Sequence, residues 1–280
     1  MIAGAIARLA EGTLPRVPAA LDYPLAAVAG TVAYLLSPGA REAVRENLAI
    51  VAPGRTDRER LVRATFVEQV RHYIEIFRLA RLDREAVRRT VVASGWEHVV
   101  AAYERGNGVV FASAHLGPIS VCGQIFVAHG YEVTLPVERD TGELSRAINR
   151  ARRAMGLTLV QTDSAHGIYR VLKRGGALGL LADRAVTGVG ERVTFFGRPA
   201  LLPSAHVVLA LRTGAPLIPG FAHRDGRTLR AVFEPELELP HTGDHDADVR
   251  EGVRRWAEVL ERHIRLAPAH WSVFEAVWRR

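Results

Sequence analysis

Between residues 41 and 106, apolar side chains return every three or four positions. The segments are REAVRENLAIVAP, DRERLVRATFVEQVRHYIEIFRLARL, DREAVRRTVV and GWEHVVAAYERG, and this spacing gives a helix one buried face. The pattern predicts a helical lead-in, with Asp57 and Asp83 as N-caps and Gly54 and Gly106 as stops. After Gly108 it changes to short apolar runs separated by amphipathic ones. GVVFASAH, YEVTLPVE, TLVQT, ALGLLAD, PLIPGFAHR and LRAVFEPEL predict strands, while VCGQIFV, LSRAINRARRAMG, HGIYRVLKRG and PSAHVVLALRTG predict helices. A loop is expected between ALGLLAD and PSAHVV, and a last helix over about residues 246–265. Repeated βα units predict an α/β fold with a mainly parallel central sheet flanked by helices. We expect a single domain over residues 1–280, with a helical N-terminal portion at 1–106 and an α/β core at 107–280.

Two stretches at the ends stand apart from this alternation. Residues 23–36 (YPLAAVAGTVAYLL) are uncharged and apolar, shorter than the roughly twenty residues that a spanning helix needs. They suit burial at a membrane surface or a core helix, and the core reading is the commoner one at this length. Residues 1–10 carry one arginine behind several apolar residues and no clear cleavage site, so no removable signal peptide is expected. At the other end, the spacing of Trp271, Phe274 and Trp278 predicts a short helix that packs an aromatic face on the body.

Composition narrows the partners. The single cysteine, Cys122, excludes an intrachain disulfide or a multi-cysteine zinc site, and it reads as a core residue. A formal charge of +7 and a pI near 10.2 come almost wholly from arginine, Lys173 being the lone lysine. That balance favours an anionic partner, either a phospholipid surface or an acidic carrier protein. No basic block with interleaved aromatics appears, so nucleic acid is not expected.

The segment with the clearest chemical content is GVVFASAHLGPIS, residues 108–120. An apolar run ends near His115, and Gly117 and Pro118 then turn the chain, which sets one imidazole at a strand exit. There it can act as a general base or bond a neighbouring carbonyl. The sequence contains no Gly-x-Ser-x-Gly elbow, no Walker loop and no His-Glu-x-x-His helix. RGGALG precedes a strand, the reverse of a dinucleotide fingerprint, and His206 and His223 lack metal-ligand spacing and read as structural. No metal or cofactor is expected.

The order of landmarks over roughly residues 20–278 resembles the lipid A late acyltransferase family, which includes the phosphatidylinositol mannoside acyltransferases. The pieces that carry the likeness are the apolar N-terminal segment, RENLAIVAPG, VVFASAHLG, LADR followed by VTFFGRPALLPSA, LALRTGAPLIPG and PAHWSVFEAVWRR. The resemblance implies a glycerolipid-acyltransferase-like fold. It also implies transfer of a fatty acyl group from an acyl carrier protein or coenzyme A thioester to a glycolipid or related hydroxyl or amine acceptor. The setting would be peripheral, on the cytoplasmic face of the inner membrane and against its anionic surface.

The same resemblance makes His115 the catalytic base and places an Asp or Glu five residues later; here that position is Ser120. A hydroxyl can hold a ring tautomer but cannot stabilise imidazolium by charge. The missing carboxylate is therefore expected from Asp183, at the end of ALGLLAD, or from Glu191, before VTFFG. The departure also motivates a second reading, a non-catalytic relative that binds a lipid or an acyl carrier. For an anion developing on the substrate, Arg139, Arg152 and Arg184 are candidates, Arg152 also matching an arginine of the family ahead of its Met-Gly turn. Phe195 and Phe196, with Leu201 and Leu202, are candidates to line an acyl groove.

Overall fold

The computed structural model describes residues 12–13, 16–139, 142–185 and 188–279; the expectation about residues 1–10 lies outside them. A turn at Ala19–Leu21 leads into helix α1 (Asp22–Leu36), followed by α2 (Pro38–Val51), α3 (Arg58–Leu79) and α4 (Arg84–Thr90). Strand β1 (Val91–Ser94) and helix α5 (Trp96–Glu104) precede the alternating part. That part runs β2 (Val109–Ser113), α6 (Ser120–Ala128), β3 (Val133–Val137), α7 (Glu143–Ala154), β4 (Thr158–Gln161), α8 (Ala165–Lys173) and β5 (Ala177–Leu181). It continues with β6 (Glu191–Phe195), β7 (Arg198–Leu202), α9 (Ala205–Thr213), β8 (Leu217–Asp225), β9 (Thr228–Phe233) and α10 (His245–Leu266).

Seven strands form one sheet in the order β1-β9-β8-β2-β5-β3-β4. Pairing is parallel throughout except between β8 and β9, whose antiparallel hairpin turns the edge pair β9 and β1 against the other five. β2 lies at the centre, and all five of its residues are buried. Because side chains alternate along a strand, Val110 and Ala112 join a core built with α2, α3 and α10, while Val109 and Phe111 join a second core built with α4 to α7. Helices therefore cover both faces of the sheet, which is why β2 is apolar without alternation.

Local chemistry explains the boundaries. Asp83 caps α4 by accepting from the Ala86 N–H at 2.7 Å. Asp57 occupies the N-cap position of α3, but its carboxylate turns to Arg55 at 2.8 Å and caps nothing. The helical lead-in is interrupted: the β-branched pair Val91–Val92 leaves the helix at Thr90 and pairs with β9. The expected loop before α9 holds a second, two-stranded sheet, β6 with β7, turned by Phe196 and Gly197 at φ 51° and 73°, as a tight two-residue hairpin requires. The C-terminal segment is not a regular helix. It runs through short 3₁₀ turns at Pro268–His270 and Val277–Arg279, with extended chain between them.

The apolar segment 23–36 is not a core helix. Of α1 only Ala26 and Gly30 are buried, while Val28, Leu35 and Leu36 are 67%, 61% and 76% exposed. Its one packed face lies on α3, where a Cβ on Gly30 would meet the Val67 Cα at 2.5 Å. Residues 19–36 form the one helical stretch among those described that is long and apolar enough to cross a membrane.

Candidate active site

Register builds the site. β2 and β5 pair in parallel with Ser113 opposite Leu181, and the Ala182 N–H donates to the Ser113 carbonyl at 2.8 Å, which carries the alignment one step further. His115 and Asp183 each lie two residues past that pair, so the chain sets them side by side at the carboxyl edge of the sheet, where open α/β sheets bind ligands. Gly117 turns the chain after His115 at φ 59°, and a Cβ there would stand 2.7 Å from the Ala222 carbonyl oxygen, so only glycine fits this exit.

The contact itself is close. His115 Nδ1 is 2.9 Å from Asp183 Oδ1, and the His115 backbone N–H donates to Asp183 Oδ2 at 3.0 Å. The indole N–H of Trp271 donates to the same Oδ2 at 2.9 Å. Asp183 is fully buried, and burial is the largest influence on its carboxyl, opposing ionisation. The charge of a protonated His115 and the donated hydrogen bonds together outweigh it and hold the carboxyl below its usual range. A carboxylate that accepts at Nδ1 leaves the hydrogen there, so Nε2 carries the free lone pair. The His115 side chain remains 28% exposed and lines a cavity of about 670 Å³.

Its apolar lining includes Ile76, Phe111, Phe126, Leu135, Leu157 and Phe233. Its polar lining includes, besides His115, Gln69, His72, Ser120, Asn149, Arg152 and Arg184. Arg152 is half-buried there; its N–H reaches Asn149 Oδ1 at 3.3 Å, its Nε has no partner, and burial pushes its guanidinium below the usual range. Arg184 sits 3.8 Å from Glu275 and also has an unpartnered Nε. His72, from α3, has its Nδ1 unpartnered; burial foremost, with the charge of Arg152 next, lowers it to about 3, so it stays neutral.

The residues singled out from sequence thus separate. His115, Asp183, Ser120, Arg152 and Arg184 meet around the cavity, although Ser120, buried at the start of α6, makes no hydrogen bond to the imidazole. Glu191 opens β6 and does not line the cavity. Arg139 is 82% exposed and paired with Asp163 at 2.7 Å, outside the lining. Phe195 and Phe196 are outside it as well. Phe195 is fully buried and stacks on Trp278 at 5.4 Å, and Phe196 forms the hairpin turn beneath Arg265. The hairpin carries Leu202 into the same core, so the acyl groove expected there is packed protein. Three contributors were hidden in the sequence: His72 and Tyr73, which both line the cavity from α3, looked like ordinary positions on a helix, and Trp271, which donates to Asp183, like a packing aromatic.

Comparison with known proteins agrees with the geometry. The phosphatidylinositol mannoside acyltransferase of Mycobacterium tuberculosis (strain ATCC 25618 / H37Rv) is 27% identical over 255 residues, covering 88% of this chain and 79% of that protein. The protein of that name from Mycolicibacterium smegmatis is 27% identical over 253 residues, covering 88% and 82%. Residues 12–280 match the bacterial lipid A biosynthesis acyltransferase family, and with its length matched almost end to end, the chain belongs to that family and is an acyltransferase.

Proposed function

We propose that the protein transfers a fatty acyl group from an acyl carrier protein or coenzyme A thioester to a hydroxyl of a membrane glycolipid, with His115 as general base. The observation that carries this reading is the carboxylate-backed imidazole on the wall of a cavity whose lining combines apolar side chains with two arginines. The acyl chain lies against the apolar side chains of the cavity, and the thioester carbonyl sits beside His115. Nε2 takes the proton of the acceptor hydroxyl as its oxygen attacks the carbonyl carbon. The tetrahedral oxyanion then collapses, the carbon–sulfur bond breaks, and the imidazolium returns its proton to the departing thiolate, leaving ester and free thiol. Asp183 stabilises the imidazolium in between. Arg152 and Arg184 face negative charge on the substrate or the oxyanion.

The second reading, a binding protein without catalysis, arose from Ser120. Asp183 supplies a carboxylate to the ring from another strand, which favours catalysis. The exposed face of α1 supports action at a membrane surface, peripheral and on the cytoplasmic side, and the excess of arginine supports an anionic one. The test is incubation of the purified protein with hexadecanoyl-coenzyme A or hexadecanoyl-acyl carrier protein and vesicles of phosphatidylinositol mannoside mixed with anionic phospholipid. Mass spectrometry is expected to find one added acyl chain on the glycolipid, and flotation to show binding that falls with salt. Tight vesicle binding with no acyl product from either donor favours the binding reading instead.

A further inference from the structure

The chain beyond α10 makes a contact that the chemistry above does not use. Residues 270–272 run beside the His115 exit: the Gly117 N–H donates to the His270 carbonyl at 2.9 Å, and the Ser272 N–H donates to the His115 carbonyl at 2.8 Å. Leu116 and Trp271 form an antiparallel bridge between these bonds. Trp271 is 3% exposed, and its ring meets Phe195 and Trp278 edge-on at 6.1 Å each, so packing fixes the plane in which its N–H points.

The direction of that N–H matters because of its target. The torsion that turns an aspartate carboxylate is broad, and nothing in its covalent structure aims one oxygen at His115. Two fixed donors converge on Oδ2, the His115 backbone and the Trp271 indole, which leaves Oδ1 for the imidazole. With Asp183 fully buried, no water can take the place of a missing donor. Two other tryptophans supply a contrast. Trp256 donates to the Ala182 carbonyl at 2.8 Å and Trp278 to the Phe195 carbonyl at 3.2 Å, so both hold backbone and neither touches the carboxylate.

We propose that Trp271 is a positioning residue of the reaction: its indole N–H, with the backbone N–H of His115, fixes the rotation of the Asp183 carboxylate so that Oδ1 holds the ring and Nε2 faces the cavity. The inference rests on the reading of His115 as the base. The charged and titratable groups that share the cavity with His115 are His72 and Tyr73 from α3, Cys122 from α6, Glu138 after β3, Arg152 from α7 and Arg184 after β5, and His270 beside Trp271 faces Glu68 at 3.9 Å; none of them changes in the variants below.

The experiment uses the full chain, with thiol release from hexadecanoyl-coenzyme A or hexadecanoyl-acyl carrier protein in the presence of phosphatidylinositol mannoside vesicles. Trp271→Phe keeps an aromatic ring and deletes the donor. We expect kcat to fall by about 10- to 100-fold, the scale of one hydrogen bond to a charged group, with KM within about twofold. The acid limb of the pH profile is expected to move to higher pH, since a carboxylate with one donor fewer holds imidazolium more strongly. Trp278→Phe, which deletes an N–H in the same aromatic nest, is expected to leave both unchanged. In an Asp183→Asn background, Trp271→Phe is expected to cost nothing more. Wild-type kcat and pH profile in Trp271→Phe, or equal losses in both backgrounds, overturn the proposal. If Trp271→Phe fails to fold, the indole N–H resonance of Trp271 decides: a large displacement on Asp183→Asn supports the proposal, and none overturns it. His115→Ala at wild-type rate removes the base, and this proposal with it, whereas an inactive His115→Ala beside an unaltered Trp271→Phe removes the positioning role alone.

Discussion

His115 and His263 each hold a carboxylate at nearly the same distance, 2.9 Å to Asp183 and 2.8 Å to Glu234, and the two pairs are fit for different work. The second nitrogen makes the difference. In His263, Nε2 faces Glu234 while Nδ1 meets His223 Nε2 at 2.9 Å, and the ring stacks on Phe221 at 3.8 Å, 5% exposed. Both nitrogens are consumed and the ring does not line the cavity at His115, so the imidazole ties β8, β9 and α10 together. In His115, Nδ1 alone is taken, and the ring opens on the cavity. A carboxylate beside a histidine is therefore not a catalytic signature; a carboxylate on one nitrogen with room for substrate at the other is.

The comparison breaks most directly by mutation of both pairs. His115→Ala is expected to lower transfer at least about 10³-fold, and Asp183→Asn about 10²- to 10⁴-fold, at nearly unchanged melting for the alanine variant. His263→Phe is expected to do the opposite. Loss of its two contacts leaves His223 without this partner, although Glu234 keeps Arg262 at 3.4 Å; this costs about 1–3 kcal/mol of stability, while the turnover of the molecules that remain folded stays at the wild-type level. Product formation and thermal melting on the same preparations check both halves. Equal turnover losses in His115→Ala and His263→Phe would end the distinction between the two pairs.

How much of this could be read from residues alone follows from where the information lies. The exit at His115 was legible because an apolar run, a glycine and a proline are local signals. Asp183 was legible only as one of two candidates, since a strand-end acid and a loop acid look alike until strand order is known. That order sets β5 beside β2 with β3 beyond it, and nothing in the chain announces it. Glu191 lost its place because residues 191–202 form a hairpin of their own. β1 was hidden by its length: two valines behind an arginine-rich helix carry too few positions to show a period. Trp271, Phe274 and Trp278 had helical spacing by coincidence, in a segment whose shape is fixed by the His115 loop and Asn47 rather than by its own hydrogen bonds.

A third imidazole sharpens the contrast. His206, at the start of α9, is 1% exposed, packs on Trp256 at 5.3 Å and has no partner on either nitrogen. Burial lowers it to about 3, against about 6.5 when exposed in the unfolded chain. Its folded value lies below its unfolded one, so the unfolded state binds the extra proton; stability is complete above about pH 6.5 and declines as the pH falls toward 3, by about 1.4 kcal/mol per pH unit for this one group. His72, His223 and His270 are lowered too, burial foremost in each, and steepen the decline. His206→Leu is expected to flatten the slope between pH 6 and 4 by about one proton without changing turnover at neutral pH. Denaturant titrations across that range check it, and an unchanged slope would show that His206 is already protonated in the folded protein.

The smallest effect is expected at the position that first cast doubt on catalysis. Ser120 lies five residues past His115, where the family pattern has an acid, and it is 8% exposed on the cavity wall. Because Asp183 already takes His115 Nδ1, the hydroxyl has no imidazole nitrogen to orient, and its loss removes at most one weak contact to a bound substrate. Ser120→Ala is therefore expected to change kcat/KM less than about tenfold, the scale of a neutral hydrogen bond of about 0.5–1.5 kcal/mol. Ser120→Asp is expected to be worse than alanine, since it buries a second negative charge in the wall of a site that Asp183 already supplies instead of restoring a missing one. Turnover against pH for both variants distinguishes the cases. A rate in Ser120→Asp above that of the wild type would show that an acid at position 120 still serves the imidazole and that Asp183 alone supports it incompletely.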